Sequence, residues 1–348
     1  MPFGAPAPDP MSHVAGHRRP AAPPITLALL APVIGEVLFG AVPLSLLPFG
    51  LLGLIGLYGG GALLVREIVR GRRLPSTWLV WLGIAYGILE EGTVTQSLFD
   101  RHYRGLDFLG FYGHAAGVNW VWALFIVPYH AVFSIAVPIL LSELLFPDHA
   151  EARWLGPAGV LGAAAAFTLN AAGIALLQTK LLSAAAPRVS LSANLAALAI
   201  AGLLIVSAFV ARPAGAADRA TSASAAARRL RWVACLGGLA WFVGFRVLII
   251  GTGTNMPASA AFGCGLLIAG GIAWSIWQGT AGGGPLTRES TYALVAGALP
   301  TSWLLGFLIA AVSGGNPAVN LAGQVLFGVV MFWGLRRLRQ RVRAAGGS

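Results

Sequence analysis

Charge is scarce in this chain. Only 10% of its 348 residues are Asp, Glu, Lys or Arg, and 57% are hydrophobic; soluble domains devote about a quarter of their residues to charge. A water-soluble protein of this length cannot cover its surface so thinly, whereas a protein whose outer face meets lipid has no need to. Mean hydropathy is +0.77. Cysteine is limited to Cys235 and Cys264, both in apolar stretches, which argues against a disulfide framework and against CxxC metal spacing. The HExxH, GxSxG and P-loop patterns are missing. Gly251-Thr-Gly-Thr-Asn255 has no flanking strand and helix of a phosphate loop and reads as a turn. No internal repeat is evident, which removes the main sequence pointer to an inverted-repeat transporter.

Long apolar runs fill the rest. A helix needs about 20 apolar residues to cross the hydrocarbon core, and ten windows qualify, near 25–43, 49–69, 76–97, 117–145, 157–181, 193–211, 231–250, 258–278, 291–312 and 318–335. Prolines and glycines punctuate them, at Pro43 and Pro48, at Gly282 to Pro285 and at Gly314 to Pro317. The expected fold is an all-α polytopic transmembrane helix bundle of about ten spans. Its expected parts are a disordered N-terminus (1–24), a six-helix bundle (25–211), a basic linker (212–231), a four-helix bundle (232–335) and a basic tail (336–348).

The net charge of +11 is a topology signal rather than a nucleic-acid footprint, because the basic residues sit in loops and tail. With the N-terminus inside and ten spans, 18 basic residues fall inside and only four outside, namely Arg101, Arg104, Lys180 and Arg188. Both termini are therefore expected in the cytoplasm. A single lysine against abundant Arg, Ala and Gly suggests a bacterial source, hence a multi-pass protein of the bacterial cytoplasmic (inner) membrane whose assured partner is the lipid bilayer.

Ionisable groups at bilayer depth are costly and mark function or pairing. Glu90 and Glu91 stand out, in Tyr86-Gly-Ile-Leu-Glu-Glu-Gly-Thr-Val-Thr-Gln96. Two adjacent carboxylates in a low dielectric do not both ionise freely unless they meet a cation, which is the condition for general acid–base work; a helix end reaching the outer interface is the plainer explanation. His130 lies near the centre of the fourth window, two residues after Pro128 and four before Ser134. It can bond a carboxylate, hold a metal or relay a proton, or simply bond Ser134. The third and fourth windows are consecutive and antiparallel, so contact between the glutamates and His130 is expected. Glu36 is central in the first window, free to join this cluster or to pair with Arg246. Gln96 adds a polar group beside the pair. Glu143 is expected at the inner interface, and the polar stretch Asp100 to His114 as an outer loop or lid. Gly56, Gly60, Gly83 and Gly87 read as close-packing positions.

Glu90-Glu91 followed by an intramembrane histidine resembles the CAAX protease and bacteriocin-processing family, polytopic proteins with EExxxR, FxxxH and HxxxN/S-like motifs that activate water for peptide hydrolysis. The glutamates match the start of the first motif, with Thr95 in place of its arginine, and His130 with Ser134 matches the last. His114 stands where the middle motif's histidine would be, with Gly110 in its Phe position. The match covers roughly residues 76–146. The resemblance implies hydrolysis, with Glu90, Glu91 and His130 as catalytic residues. Three readings stay open on the residues themselves: an intramembrane hydrolase, a proton- or cation-coupled transporter using Glu36, Glu90, Glu91 and His130, and a scaffold whose charges hold helices together. Metal dependence, cofactor and protein partner are left open.

Overall fold

The computed structural model describes residues 20–101, 103, 112–178, 189–213, 224–245, 256–279 and 286–346. Ten helical rods follow the ten apolar windows in order. They are α1 (Ala22–Val37), α2 (Leu47–Leu54, Ile55–Gly59 and Gly60–Gly71), α3 (Thr77–Leu89 and Glu90–Val94), α4 (Trp120–Tyr129, His130–Ala136 and Val137–Leu145), α5 (Pro157–Leu177), α6 (Leu191–Val210), α7 (Ser224–Phe245), α8 (Ala258–Gly279), α9 (Arg288–Ala310) and α10 (Pro317–Gly346). Seven of the rods are long and apolar enough to cross a membrane. The chain is an all-α, multi-pass membrane protein.

The rod ends follow local chemistry. Proline opens α5 and α10, where its missing N–H costs nothing. Asn119, Ser190 and Thr287 each accept a backbone N–H at the start of α4, α6 and α9. A two-stranded hairpin, β1 (His114–Ala115) with β2 (Val118–Asn119), leads into α4. Its turn residues Ala116 and Gly117 both have positive φ, as a two-residue primed turn requires.

Rods α1 to α4 form the centre. In the most apolar stretches of α2 and α4, 67% and 78% of residues are buried, against 6% in α5 and α8. The outer rods therefore offer apolar side chains such as Leu169, Leu203 and Leu267 to the surroundings, as lipid contact demands. α5 packs on α2 and α3, α6 on α3, α8 on α4, and α9 on α4, α7 and α10.

Helix α7 begins at Ser224, and Phe242 near its end packs on Phe39, Phe125, Tyr129 and Phe133. One apolar core runs through Phe242, Val295, Leu299 and Leu335 into the first four rods. Aromatic packing across such distant segments leaves no trace in composition.

The C-terminal ends of α2 and α4 are joined by a buried ionic clasp. Arg70 makes a two-pronged contact with Glu143, Nε to Oε1 and NH2 to Oε2, both at 2.7 Å. Arg66 meets Glu143 at 3.1 Å and donates to the carbonyls of His149, Ala150 and Ala152. Its guanidinium lies 3.3 Å from the centre of the Trp154 ring. Glu67 accepts the Trp154 backbone N–H at 2.8 Å and meets Arg153 at 3.3 Å. Glu143 is thus a buried junction of two arginines.

Candidate functional site

Each of the four central rods contains a π-helical stretch: Val33–Val37 in α1, Ile55–Gly59 in α2, Glu90–Val94 in α3 and His130–Ala136 in α4. A π turn holds one residue more than an α turn and is rare outside functional sites. Two have a visible cause. Pro32 immediately precedes the first and Pro128 lies two residues before the fourth; proline removes an α-helical hydrogen bond and crowds the carbonyl four residues back.

The polar residues of the membrane interior sit on these stretches and meet. His130 Nε2 lies 2.8 Å from Glu91 Oε1. His130 Nδ1 lies 2.9 Å from Ser134 Oγ and 3.1 Å from Glu90 Oε2. The imidazole thus bridges two carboxylates, with all three groups at most 5% exposed. Glu91 is fixed from its other side by the hydroxyls of Ser97 and Thr95, the latter at 3.0 Å. Ser97 in turn accepts the Trp122 indole N–H at 2.9 Å.

Tyr58 extends the cluster to α1. Its hydroxyl contacts Glu90 Oε1 and lies 2.5 Å from Glu36 Oε1. A phenol has one proton to give, so Tyr58 can donate to only one of the two carboxylates at a time. Three tyrosines enclose the histidine, with the rings of Tyr129, Tyr58 and Tyr86 centred 5.4, 6.1 and 6.2 Å from it. Tyr129 is held by the Gly35 carbonyl at 2.5 Å. Glu90 Oε2 and Thr93 Oγ1 are buried with no hydrogen-bond partner among the described residues.

Small residues allow this convergence. A Cβ on Gly83 would lie 2.7 Å from Ala131 Cα, so only glycine lets α3 and α4 touch backbones just below the site. Gly35 similarly leaves room for Ser134 Oγ, 2.8 Å from where its Cβ would be.

The structure brings together Glu36, Glu90, Glu91, His130 and Ser134. Gln96 is elsewhere: its amide donates to Asn194 of α6 at 3.4 Å, and its φ of 61° turns it away at the end of α3. Arg246, proposed as a partner for Glu36, lies outside the described residues, as does most of the 100–114 loop. Tyr58 and Ser97 were not singled out from the sequence. The Gly-rich setting of Tyr58 marks a close helix approach but carries no sign of a carboxylate partner.

Chemically the cluster can take, hold and return protons. It also contains a ligand set. Glu90, Glu91 and His130 each offer one ligand atom, all within 4.8 Å of one another, and three protein ligands with an open position is the pattern of catalytic zinc. Ser134 on Nδ1 is the kind of outer contact that fixes a ligating imidazole.

No curated protein and no solved structure matches the chain. Residues 25–327, which include every residue of the site and rods α2 to α9 in full, match one family. On that match the chain belongs to the Uncharacterized membrane protein family.

Proposed function

We propose that this protein is an intramembrane hydrolase, ten rods crossing the membrane with both termini in the cytoplasm. The observation that carries the reading is the His130 imidazole bridging Glu91 at 2.8 Å and Glu90 at 3.1 Å inside a buried cluster. Glu90 is the general base. It takes a proton from water on Oε2 while Tyr58 holds Oε1. The water oxygen adds to the carbonyl carbon of a peptide or ester bond, and Glu90 passes the proton to the leaving nitrogen or oxygen as the old bond breaks. His130, clamped by Glu91 and Ser134, positions Glu90 and offsets the developing negative charge. If an ion is bound, the same three side chains hold it and it polarises the water.

The depth of the cluster favours local chemistry over transmembrane proton transport. At a rise of about 1.5 Å per residue, Glu36 and Glu90 lie about 20 Å from the starts of α1 and α3, and Tyr58 and His130 about 15 Å from the starts of α2 and α4. These rods alternate in direction, so all four groups occupy one layer. Inward of it the chain is apolar in three central rods, from Gly59 to Val65, Leu79 to Ala85 and Ile135 to Leu141, and in α1 from Leu27 to Gly35, ending at the Arg66–Glu143 clasp. A proton path would need polar groups through that stretch.

The test is N-terminal proteomics on bacterial membranes carrying wild type, Glu90→Gln, Glu91→Gln or His130→Ala. New peptide ends present only with wild type are expected. Identical ends with all four would sink the reading, and a proton flux into proteoliposomes lost in Glu90→Gln without any cleavage would reassign the site to transport. Sensitivity to a chelator separates ion-assisted from direct attack.

A further inference from the structure

A second polar feature lies far from the Glu90–His130 cluster, where the N-terminal ends of α7 and α9 meet the C-terminal end of α10. A cavity of about 270 Å³ opens there, lined by Arg228 and Arg231 of α7, Glu289 and Tyr292 of α9, and Arg339 and Arg343 of α10. Four guanidiniums thus face one carboxylate. No ion pair joins any of them to a carboxylate among the described residues. Spacings of three (228, 231) and four (339, 343) put each pair on one helix face, so like charges are stacked twice around one space. Such an arrangement repels itself unless an anion occupies it.

Two further observations say what kind of anion. The cavity is smaller than the range of roughly 300–1,000 Å³ common for drug-sized ligands, which suits a headgroup-sized oxyanion. Trp232 and Trp333, 53% and 61% exposed, stand beside the arginines on the same two helices. Exposed tryptophans mark the membrane–water boundary, so the cavity lies at headgroup level. In the topology proposed above this is the cytoplasmic leaflet. Basic pockets between helices on that side recognise anionic headgroups, and the guanidinium fork matches phosphate oxygens two at a time.

We propose that this cavity binds a phosphate-type oxyanion, in the membrane the phosphodiester headgroup of an anionic phospholipid. Tyr292, whose hydroxyl donates to the Leu335 carbonyl at 3.2 Å, ties α9 to α10 and holds the arginine-bearing helix against the site.

The experiment uses the full chain, purified in neutral detergent. Binding of phosphatidylglycerol is read by native mass spectrometry and by thermal stabilisation, with inorganic phosphate as a competing probe. Arg231→Gln with Arg339→Gln should weaken phosphatidylglycerol binding at least tenfold. The control, Arg337→Gln with Arg341→Gln, removes the same charge from exposed positions of α10 outside the cavity and should weaken it less than twofold. Lipid binding that millimolar phosphate does not displace assigns the site to the headgroup; displacement, with stabilisation by phosphate alone, assigns it to free phosphate. Equal losses in both double variants, or no loss in either, overturns the proposal. Should the cavity variant unfold early, Arg228→Gln with Arg343→Gln reads out the same quantity.

Discussion

Replacing Glu143 by Gln keeps the side-chain shape and removes the one negative charge on which Arg66 and Arg70 converge. The loss falls unevenly. Arg66 keeps three backbone carbonyls and its place over Trp154. Arg70 keeps Ser76 Oγ at 3.3 Å and one neutral amide oxygen in place of two charge-assisted bonds of 2.7 Å. One-sided removal of a buried partner costs about 3–5 kcal/mol. An amide oxygen still accepts one hydrogen bond, worth about 1 kcal/mol, which leaves an expected destabilisation of about 3 kcal/mol. Glu67→Gln is the comparator. Its partners are Arg153, 53% exposed, where a pair with one solvated member contributes about 1 kcal/mol at most, and buried Arg66 at 3.4 Å, which keeps Glu143 and three carbonyls, so the expected loss is smaller than for Glu143→Gln. Reversible unfolding in mixed micelles, followed by tryptophan fluorescence, measures both. A third variant tests the cause: Arg70→Met with Glu143→Leu removes both charges and should recover most of the loss, because an apolar pair spares the desolvation cost. A Glu143→Gln protein as stable as wild type, or a double variant weaker than the single one, would refute the clasp as a source of stability.

Other consequences are as direct. Gly83→Val forces α3 off Ala131 and should abolish the proposed cleavage while lowering stability by about 1–3 kcal/mol, as overpacking does; unchanged activity would show that the helix contact is not what seats Glu90 and Glu91. Phe242→Ala, in α7, should cost about 3–5 kcal/mol by emptying an aromatic cluster shared with α1 and α4, and near-neutrality by the same unfolding assay would mean the two halves are independent. Asn119→Ala removes the α4 cap and the bond to the Tyr112 carbonyl, for a loss of about 1–2 kcal/mol in thermal unfolding. Tyr58→Phe should uncouple Glu36 from Glu90 and slow cleavage without changing the thermal midpoint much. Activity equal to wild type would remove Tyr58 from the mechanism.

The sequence carries the rods plainly, because the thickness of a bilayer imposes a length that a run of apolar residues either has or lacks. It also carries Glu90, Glu91 and His130, since a charge at that depth is conspicuous in a chain with so few. The partners are another matter. Tyr58 and Ser97 are ordinary residues for a span or its end, and only their positions opposite Glu36, Glu90 and Glu91 give them roles. The tie between Arg70 and Glu143 joins residues 73 apart; from sequence, Arg66 and Arg70 read as topology charges. Gln96 shows the converse error, since five positions along the chain from Glu91 it serves α6 instead.

The π-helical stretches alter what an insertion or deletion means in this protein. Each of the four rods carries one residue in excess of the α repeat, so the faces before and after the stretch are out of phase. Removing one residue from Glu90–Val94 would let α3 close as a regular helix. Because a π turn and an α turn each close about one full circle, the far end would keep nearly its angle and height, and what would be lost is the widened turn that carries Glu90 and Glu91. A one-residue deletion in these four places is therefore absorbed where it falls, while the same deletion a turn away would rotate the rest of the rod by about 100° and carry its face off its neighbours.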